Sequence, residues 1–371
     1  MNKGKYVFAQ LVSIVPKYQF KCCVDKYKGH YHVRDFSCWN QFLYMVFGQL
    51  TYRESLHDIV NCLSAHSHKL YHVGIHKLVV VSTLSRANAN RDWKIWFDLA
   101  DHLLSIAQNL YIKNSAFDLE ISNPVFALDS SVIDLCLSVF KWANFRKNKG
   151  GIKLHLLFDV KASLPIFWLI TPAKIHDVNV LDELEFQIGA IYLMDKGYYD
   201  FKRLYRIHLE LAFFIIRAKK NISFSRMYSR KSDRTKGLIC DQVIKLTGVK
   251  TKKLYPEKLR RIKFYDDESQ KTYIFLTNNF EIDALNIAKL YKYRWQIELF
   301  FKWIKQHLKI KKFWGESENA VKTQICIALC TYLVVAIKKH ESGSDLSLYE
   351  ILQILSLSPF DKTPVNQLLM K

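Results

Sequence analysis

The alternation of apolar and polar positions divides the chain into three textures. Up to about residue 115 the apolar positions recur at helical spacing. Ser37 heads a run through Trp39, Phe42, Leu43, Val46 and Phe47 that Gly48 is expected to end. Thr51 with Glu54 has the form of a capping box for the following RESLHDIVNCLSAH stretch. Ser82 is placed to cap a short helix TLSRANAN, and Asp92 to cap WKIWFDLADHLLSIAQNLY. The pair forms a helix, turn, helix pattern with Arg86, Asn88, Asn90 and Arg91 near the second start, a pattern seen in DNA-reading proteins. From residue 121 short apolar runs replace the helical period. Residues 124–128, 152–160 and 164–171 read as strands, residues 177–187 as a helix, and residues 190–194 as a further strand. Asp129 and Asp195 directly follow the first and last of these. Residues 201–210 read as a helix and 211–216 as a buried strand. Residues 221–276 interleave basic clusters with β-like runs at 242–247 and 272–276, which predicts a β-rich insertion.

Residues 283–315 carry the most informative pattern. Ile297, Phe300, Phe301, Ile304 and Leu308 recur every three or four residues, and no proline or glycine interrupts the run before Gly315. This predicts one long helix with an apolar face, capped by Asp283. Tyr291, Arg294, Glu298, Lys302, Lys305 and Lys309 follow one another at intervals of 3, 4, 4, 3 and 4, so they share a polar stripe. The stripe holds one carboxylate and four cations, more positive charge than helix ion pairing needs. Trp295, Leu299 and Trp303 flank it, which predicts a helix with little surface open to water. A lone acid kept among cations in such a place points to a site for phosphate and a metal ion. The competing reading is a solvated charged face. A further helix is expected over 320–339, with a peripheral tail beyond Ser342.

Tyr291-x2-Arg294-x3-Glu298-x6-Lys305 resembles the C-terminal signature of bacterial insertion-sequence transposases of family four, which are DDE enzymes. Asp195-Lys196-Gly197-Tyr198 matches that family's D-x-G-Y motif, and Asp129-Ser130-Ser131 its first-aspartate motif more loosely. Lys149-Gly150-Gly151 and Lys153 also fit. The stretch from Gly29 through Phe36-Ser37-Cys38-Trp39-Asn40 to Arg53-Glu54-Ser55-Leu56 is similar to the N-terminal domain of one branch of the family. The resemblance implies an α/β (α+β) fold: an RNase H-like mixed sheet flanked by helices, with a β-rich insertion and an all-α N-terminal domain. It implies a helical DNA-binding domain over residues 1–118 and a catalytic domain over 119–340, with its insertion at about 220–276 and a tail over 341–371. It further implies binding of insertion-sequence ends, backbone cleavage and transfer of the 3′ ends to target DNA. Asp129, Asp195 and Glu298 are the implied catalytic and metal-holding residues, with two Mg²⁺ or Mn²⁺ ions. Double-stranded DNA, as inverted-repeat ends and as target, is the implied partner of a homodimer. Tyr291, Arg294 and Lys305 are the implied DNA contacts on the stripe, and Lys302, Tyr198, Arg217 after its strand and Arg86 in the helix-turn-helix pattern are further candidates for contact with DNA.

Composition and charge agree with a polyanion partner. The 371 residues carry 55 Lys and Arg against 34 Asp and Glu, a net charge of +21, and half of the chain is hydrophobic. Such an excess favours nucleic acid over an anionic membrane. The apolar run 325–337 is short for a membrane span, and the weakly signal-like 7–15 stretch is broken by Gln10 and Ser13. The eight cysteines show no Cys-x2-Cys pair, so reduced thiols in a cytoplasmic, nucleoid-associated protein are expected rather than a zinc site. In-line attack on a phosphodiester by two-metal chemistry needs convergent oxygen ligands, which Asp129, Asp195 and Glu298 offer without a matching His or Cys cluster. Asp134, Asp159, Asp177 and Asp200 compete for the role and are read as structural. Two alternatives stand beside transposition: a nuclease that cuts without strand transfer, and a transposase-derived DNA-binding protein.

Overall fold

The structure, a computed structural model, describes residues 4–111, 117–146, 149–219 and 221–370, and side chains outside 144–149. Two compact units are present. The first comprises Met1–Lys113, Ile133–Ile152 and Lys302–Lys371, and the second Asn114–Val132 and Lys153–Phe301.

The first unit is mainly helical, and its helix starts show which polar residues are free to cap. Ser37 accepts the Asn40 amide and starts the helix Cys38–Leu50. Gly48 lies inside that helix rather than ending it. A Cβ there would come within 2.5 Å of Ile59, so the glycine allows the helix Leu56–Ala65 to pack close. Ser55, not Thr51, caps that second helix, because the Thr51 hydroxyl is already bonded to the Phe47 carbonyl at 2.7 Å. Asp92 accepts the Lys94 amide at 2.9 Å, at the start of the helix Lys94–Tyr111. The preceding helix, Val81–Asn90, begins after Val80 without a side-chain cap, ahead of the expected Ser82.

Trp96, Leu99, Leu103 and Ala107 bury the inner face of Lys94–Tyr111. The helix Glu318–Ser342 is capped by Ser317 and stopped by Gly343 in the left-handed region. Among the described residues it is the one helix long and apolar enough to cross a membrane, yet 94% of its most apolar window is buried within the protein. Residues beyond Ser342 are not peripheral. The helix Leu348–Leu357 buries Ile351, Leu352 and Leu355, and the Val365 amide bonds to Gln10 at 2.9 Å.

The second unit is built on a mixed sheet. Its strands are β1 (Val125–Leu135), β2 (Asn144–Arg146), β3 (Lys149–Asp159), β4 (Leu164–Pro172), β5 (Ile191–Met194), β6 (Phe213–Arg217), β7 (Phe224–Arg230), β8 (Leu238–Leu246), β9 (Leu259–Asp266) and β10 (Lys271–Thr277). The far ends of β1 and β3, with β2 paired antiparallel to β3, belong to the first unit's residues. β4 pairs with β3, and the order runs on as β3-β1-β5-β6-β10-β9-β8-β7. The segment β4-β3-β1-β5-β6 has the strand order of an RNase H-like sheet, with β1, β5 and β6 parallel. The β-rich insertion is a continuation of this sheet, antiparallel from β6 outward.

Alternating apolar residues bury one face of the sheet. Leu128, Tyr192, Met194, Phe214, Ile216 and Leu276 share a core with Leu204 and Ile207 of the helix Phe201–Leu209. Arg260 and Asp241 form an ion pair inside this unit, 1% and 3% exposed, at 2.7 Å. The helix expected over 177–187 is reduced to a 3-10 turn, Asp177–Asp182. Side chains take the backbone groups that would continue it: Arg206 holds the Leu184 carbonyl, Glu210 the Phe186 amide and the Tyr192 hydroxyl the Gln187 amide.

Candidate active site

Parallel pairing fixes the first two acids. Leu128 of β1 stands opposite Met194 of β5, so Asp129 and Asp195 come next on neighbouring strands. β1 runs on past Asp129 to Leu135 instead of ending there. The Ser130 amide binds Asp129 Oδ1 at 2.8 Å, and Asp195 Oδ1 accepts the Gly197 amide at 2.5 Å. A Cβ at Gly197 would sit 2.8 Å from that oxygen, so glycine suits this tight turn.

The predicted single helix is two. Ala284–Tyr293 is capped by Asp283, and Trp295–His307 follows. Arg294 lies at the joint. Its amide bonds to Tyr291 at 3.2 Å and its carbonyl receives Ile297 at 3.3 Å, so the ladder tightens to i→i+3 spacing. Lys309 lies beyond the second helix and pairs with Glu54 in the first unit. Ile297, Phe300 and Phe301 are buried as the apolar period predicts. Trp295 and Leu299 are 58% and 49% exposed, contrary to the expectation of a helix closed to water. They lie off the apolar stripe, where helical geometry turns them outward.

Arg294 joins the acids. Its Nη1 donates to Asp129 Oδ2 at 2.9 Å, its Nη2 bonds to Glu298, and its buried Nε has no partner. Burial pushes the Asp129 carboxyl up to about 6; Arg294 and the Ser130 amide oppose this, while the charges of Asp195 and Glu298 add to it. Asp129 therefore feels both other acids. Among the described residues no three His, Cys, Asp or Glu side chains are placed to hold a metal ion as they stand. The guanidinium occupies the position of a counter-cation between Asp129 and Glu298. The donor set around it is entirely carboxylate oxygen, which suits a hard divalent ion.

The remaining candidate residues separate by exposure. Arg217 and Lys302 are exposed. Tyr291 packs its ring 4.7 Å from that of Phe275 and lies under the Arg294 guanidinium. Tyr198 is 1% exposed, so its ring is a core element and offers no surface for DNA. Lys305 lies in the first unit, where burial lowers its pKa and the like charge of Lys311 adds to the effect against Asp134. Arg86 is exposed, with its Nε directed at the Ser82 carbonyl. Two neighbours in the helix-turn-helix pattern are structural: Asn88 is buried against Gln41, and Arg91 holds the Ser37 carbonyl and Gln41. Asp159 caps the turn at Lys161 and Ala162, and Asp200 caps the helix Phe201–Leu209.

Asp177 does more than start a turn: it receives the Ser130 hydroxyl and pairs with Lys153. His155, two residues along β3, is buried, bonds to Thr171 at 2.8 Å and is pushed down to about 4 by burial. The Lys-x-His spacing on one strand face was the signal in the sequence that this side of the sheet carries polar groups.

Residues 121–334 match the family model described as transposase DDE domain, and residues 3–76 match a domain of unknown function (DUF4372). A putative transposase, y4zB, of Sinorhizobium fredii is 35% identical over 200 residues, 53% of this chain and 56% of its own length. A probable transposase for insertion sequence element IS5377 of Geobacillus stearothermophilus is 27% identical over 241 residues, 64% of this chain and 63% of that one. A putative transposase for insertion sequence element IS4SA of Synechocystis is 24% identical over 267 residues, covering 69% and 71%. The alignments thus span under two thirds of the first two relatives. A solved piggyBac transposase synaptic complex with hairpin DNA aligns with a TM-score of 0.48 at 11% identity, covering 96% of this chain and 78% of that one. The match of the family model to more than half of the chain shows that the protein belongs to the DDE transposase family.

Proposed function

We propose that the protein binds the inverted-repeat ends of an insertion sequence, cleaves the DNA backbone there and transfers the 3′ ends to target DNA. The observation that carries this is the Arg294 bridge, which ties Asp129 on β1 to Glu298 on the helix while Asp195 stands on the next strand. Asp129, Asp195 and Glu298 are the residues that would hold divalent ions, Mg²⁺ or Mn²⁺, two to a site. When bound, such ions supply Lewis acidity to the phosphate oxygens and lower the pKa of the attacking water. Arg294 holds two of the acids in their DNA-free arrangement and turns to a phosphate when DNA arrives, where a guanidinium grips bidentately. Its unpartnered Nε leaves one donor for that contact. Lys302, Lys305 and Arg217 each offer positive charge to DNA phosphates. Residues 1–118 serve as a DNA-binding domain in which Arg86 contacts the duplex, residues 119–340 carry out the chemistry, and the protein works as a cytoplasmic homodimer on DNA.

The test uses a labelled duplex carrying the repeats that flank the gene, with an unlabelled plasmid as target. Nicks at the repeat ends and joined products are expected with Mg²⁺, and neither with chelator. Nicks without joining would reduce the protein to a nuclease, and binding without nicks to a DNA-binding descendant. Affinity measured without metal should fall with salt at a log–log slope of about −0.9 per phosphate contacted, as the net charge of +21 requires. A flat titration would remove DNA as the main partner.

A further inference from the structure

Asp177 and Lys153 take no part in the roles assigned above, yet they meet directly behind Asp129. Asp177 Oδ1 accepts the Ser130 hydroxyl at 2.6 Å and lies 2.9 Å from Lys153 Nζ. Lys153 is 8% exposed and also donates to the Ile175 carbonyl at 2.7 Å. Burial opposes the charge on Asp177, but the Ser130 hydroxyl and the Lys153 ammonium outweigh it and hold the carboxyl below its ordinary range. Tyr198 lies against the same group, with its hydroxyl buried beside Ser130.

A counter-ion for a buried lysine would explain the Lys153–Asp177 pair alone. It does not explain Ser130. That residue is bound at two points: its hydroxyl goes to Asp177, and its backbone amide goes to Asp129 Oδ1. Neighbouring residues on a strand point to opposite faces, so holding the Ser130 side chain on one face fixes the peptide that aims at the carboxylate on the other.

We propose that Asp177 is a positioning residue for Asp129: by holding the Ser130 hydroxyl, with Lys153 as its counter-charge, it fixes the 129–130 peptide whose N–H orients the Asp129 carboxylate. The proposal rests on the reading of Asp129 as a metal-holding acid. Outer partners of a metal-holding carboxylate act on affinity through its orientation, and their loss typically costs about 10- to 100-fold.

The test measures Mn²⁺ binding to the full chain bound to a repeat-end duplex, above a blank of the duplex alone, by electron paramagnetic resonance of the free ion, for wild type, Asp129→Asn, Asp177→Asn, Ser130→Ala and Ser130→Thr. Asp177→Asn and Ser130→Ala should each weaken Mn²⁺ binding about tenfold, and Ser130→Thr, which keeps the hydroxyl, should restore it. DNA affinity without metal and the unfolding midpoint of Ser130→Ala should match wild type. Ser130→Ala serves as the second variant because Asp177→Asn also strips a buried lysine of its partner. Wild-type Mn²⁺ binding by Ser130→Ala, or equal losses in Ser130→Ala and Ser130→Thr, would overturn the proposal. If Asp129→Asn itself left Mn²⁺ binding unchanged, the reading of Asp129 would fail instead.

Discussion

Glu298→Gln should bind insertion-sequence DNA as tightly as wild type, or more tightly, and should not cut it. The change keeps the size and polarity of the side chain and removes only the charge. Arg294 retains its bond to Asp129 at 2.9 Å, so the helix joint keeps its anchor to the sheet. One negative charge beside the incoming phosphate is lost, which accounts for the gain in affinity. On the proposed role of Glu298, the variant also lacks a ligand for a divalent ion; at about 4 kcal/mol of transition-state stabilisation the rate should fall about 10³-fold. Lys305→Ala is the contrasting variant. It leaves all three acids in place, so it should lower affinity and reduce the salt slope by about 1 while cutting persists at high DNA concentration. A gel assay scores binding without metal and cleavage with it. Cleavage by Glu298→Gln at the wild-type rate would return the polar stripe to a solvated face.

Asp241→Ala should be the most destabilising of the single changes considered. Asp241 and Arg260 are almost wholly buried, and Arg260 also holds the Ile282 and Asn279 carbonyls ahead of the helix Ala284–Tyr293. Removing the carboxylate leaves a guanidinium without its charge partner in the interior, which costs about 3–5 kcal/mol. Asp241→Ala combined with Arg260→Met should recover part of the loss, since the unpaired charge is then gone as well. Urea unfolding of the full chain measures both. A loss below about 1 kcal/mol, the range of exposed pairs, would show that water reaches the pair.

The sheet and the two aspartates could be read in the sequence because both rest on local patterns. Apolar runs at 124–128 and 190–194 are followed directly by Asp129 and Asp195, and parallel pairing of β1 with β5 turns that into spatial adjacency. The stripe from Tyr291 to Lys305 was visible for the same reason, as a helical period. The break at Arg294 was not, because nothing in the residue types signals it: it accompanies a guanidinium drawn to an acid 165 residues away. Trp295 and Leu299 misled for a related reason, since bulk and apolarity do not say which way a side chain faces once the core positions are filled. The caps at Thr51 and Ser82 failed where the hydroxyl was already used or the helix began earlier. Residues 177–187 have a helical period, but side chains from distant positions claim their backbone. The link of Asp177 to Asp129 runs through Ser130, a contact between β1 and the turn after β4 that no spacing encodes, so the sequence alone reads Asp177 as structural.

Asp129, Asp195 and Glu298 are proposed to form one divalent-ion centre for cutting DNA. The direct test is anomalous scattering from crystals of the full chain bound to a repeat-end duplex in Mn²⁺. Manganese peaks bounded by the oxygens of these three side chains are expected, with Arg294 moved from the acids to a phosphate. Manganese bound elsewhere on a protein that cuts, with Arg294 still bridging Asp129 and Glu298, would contradict it.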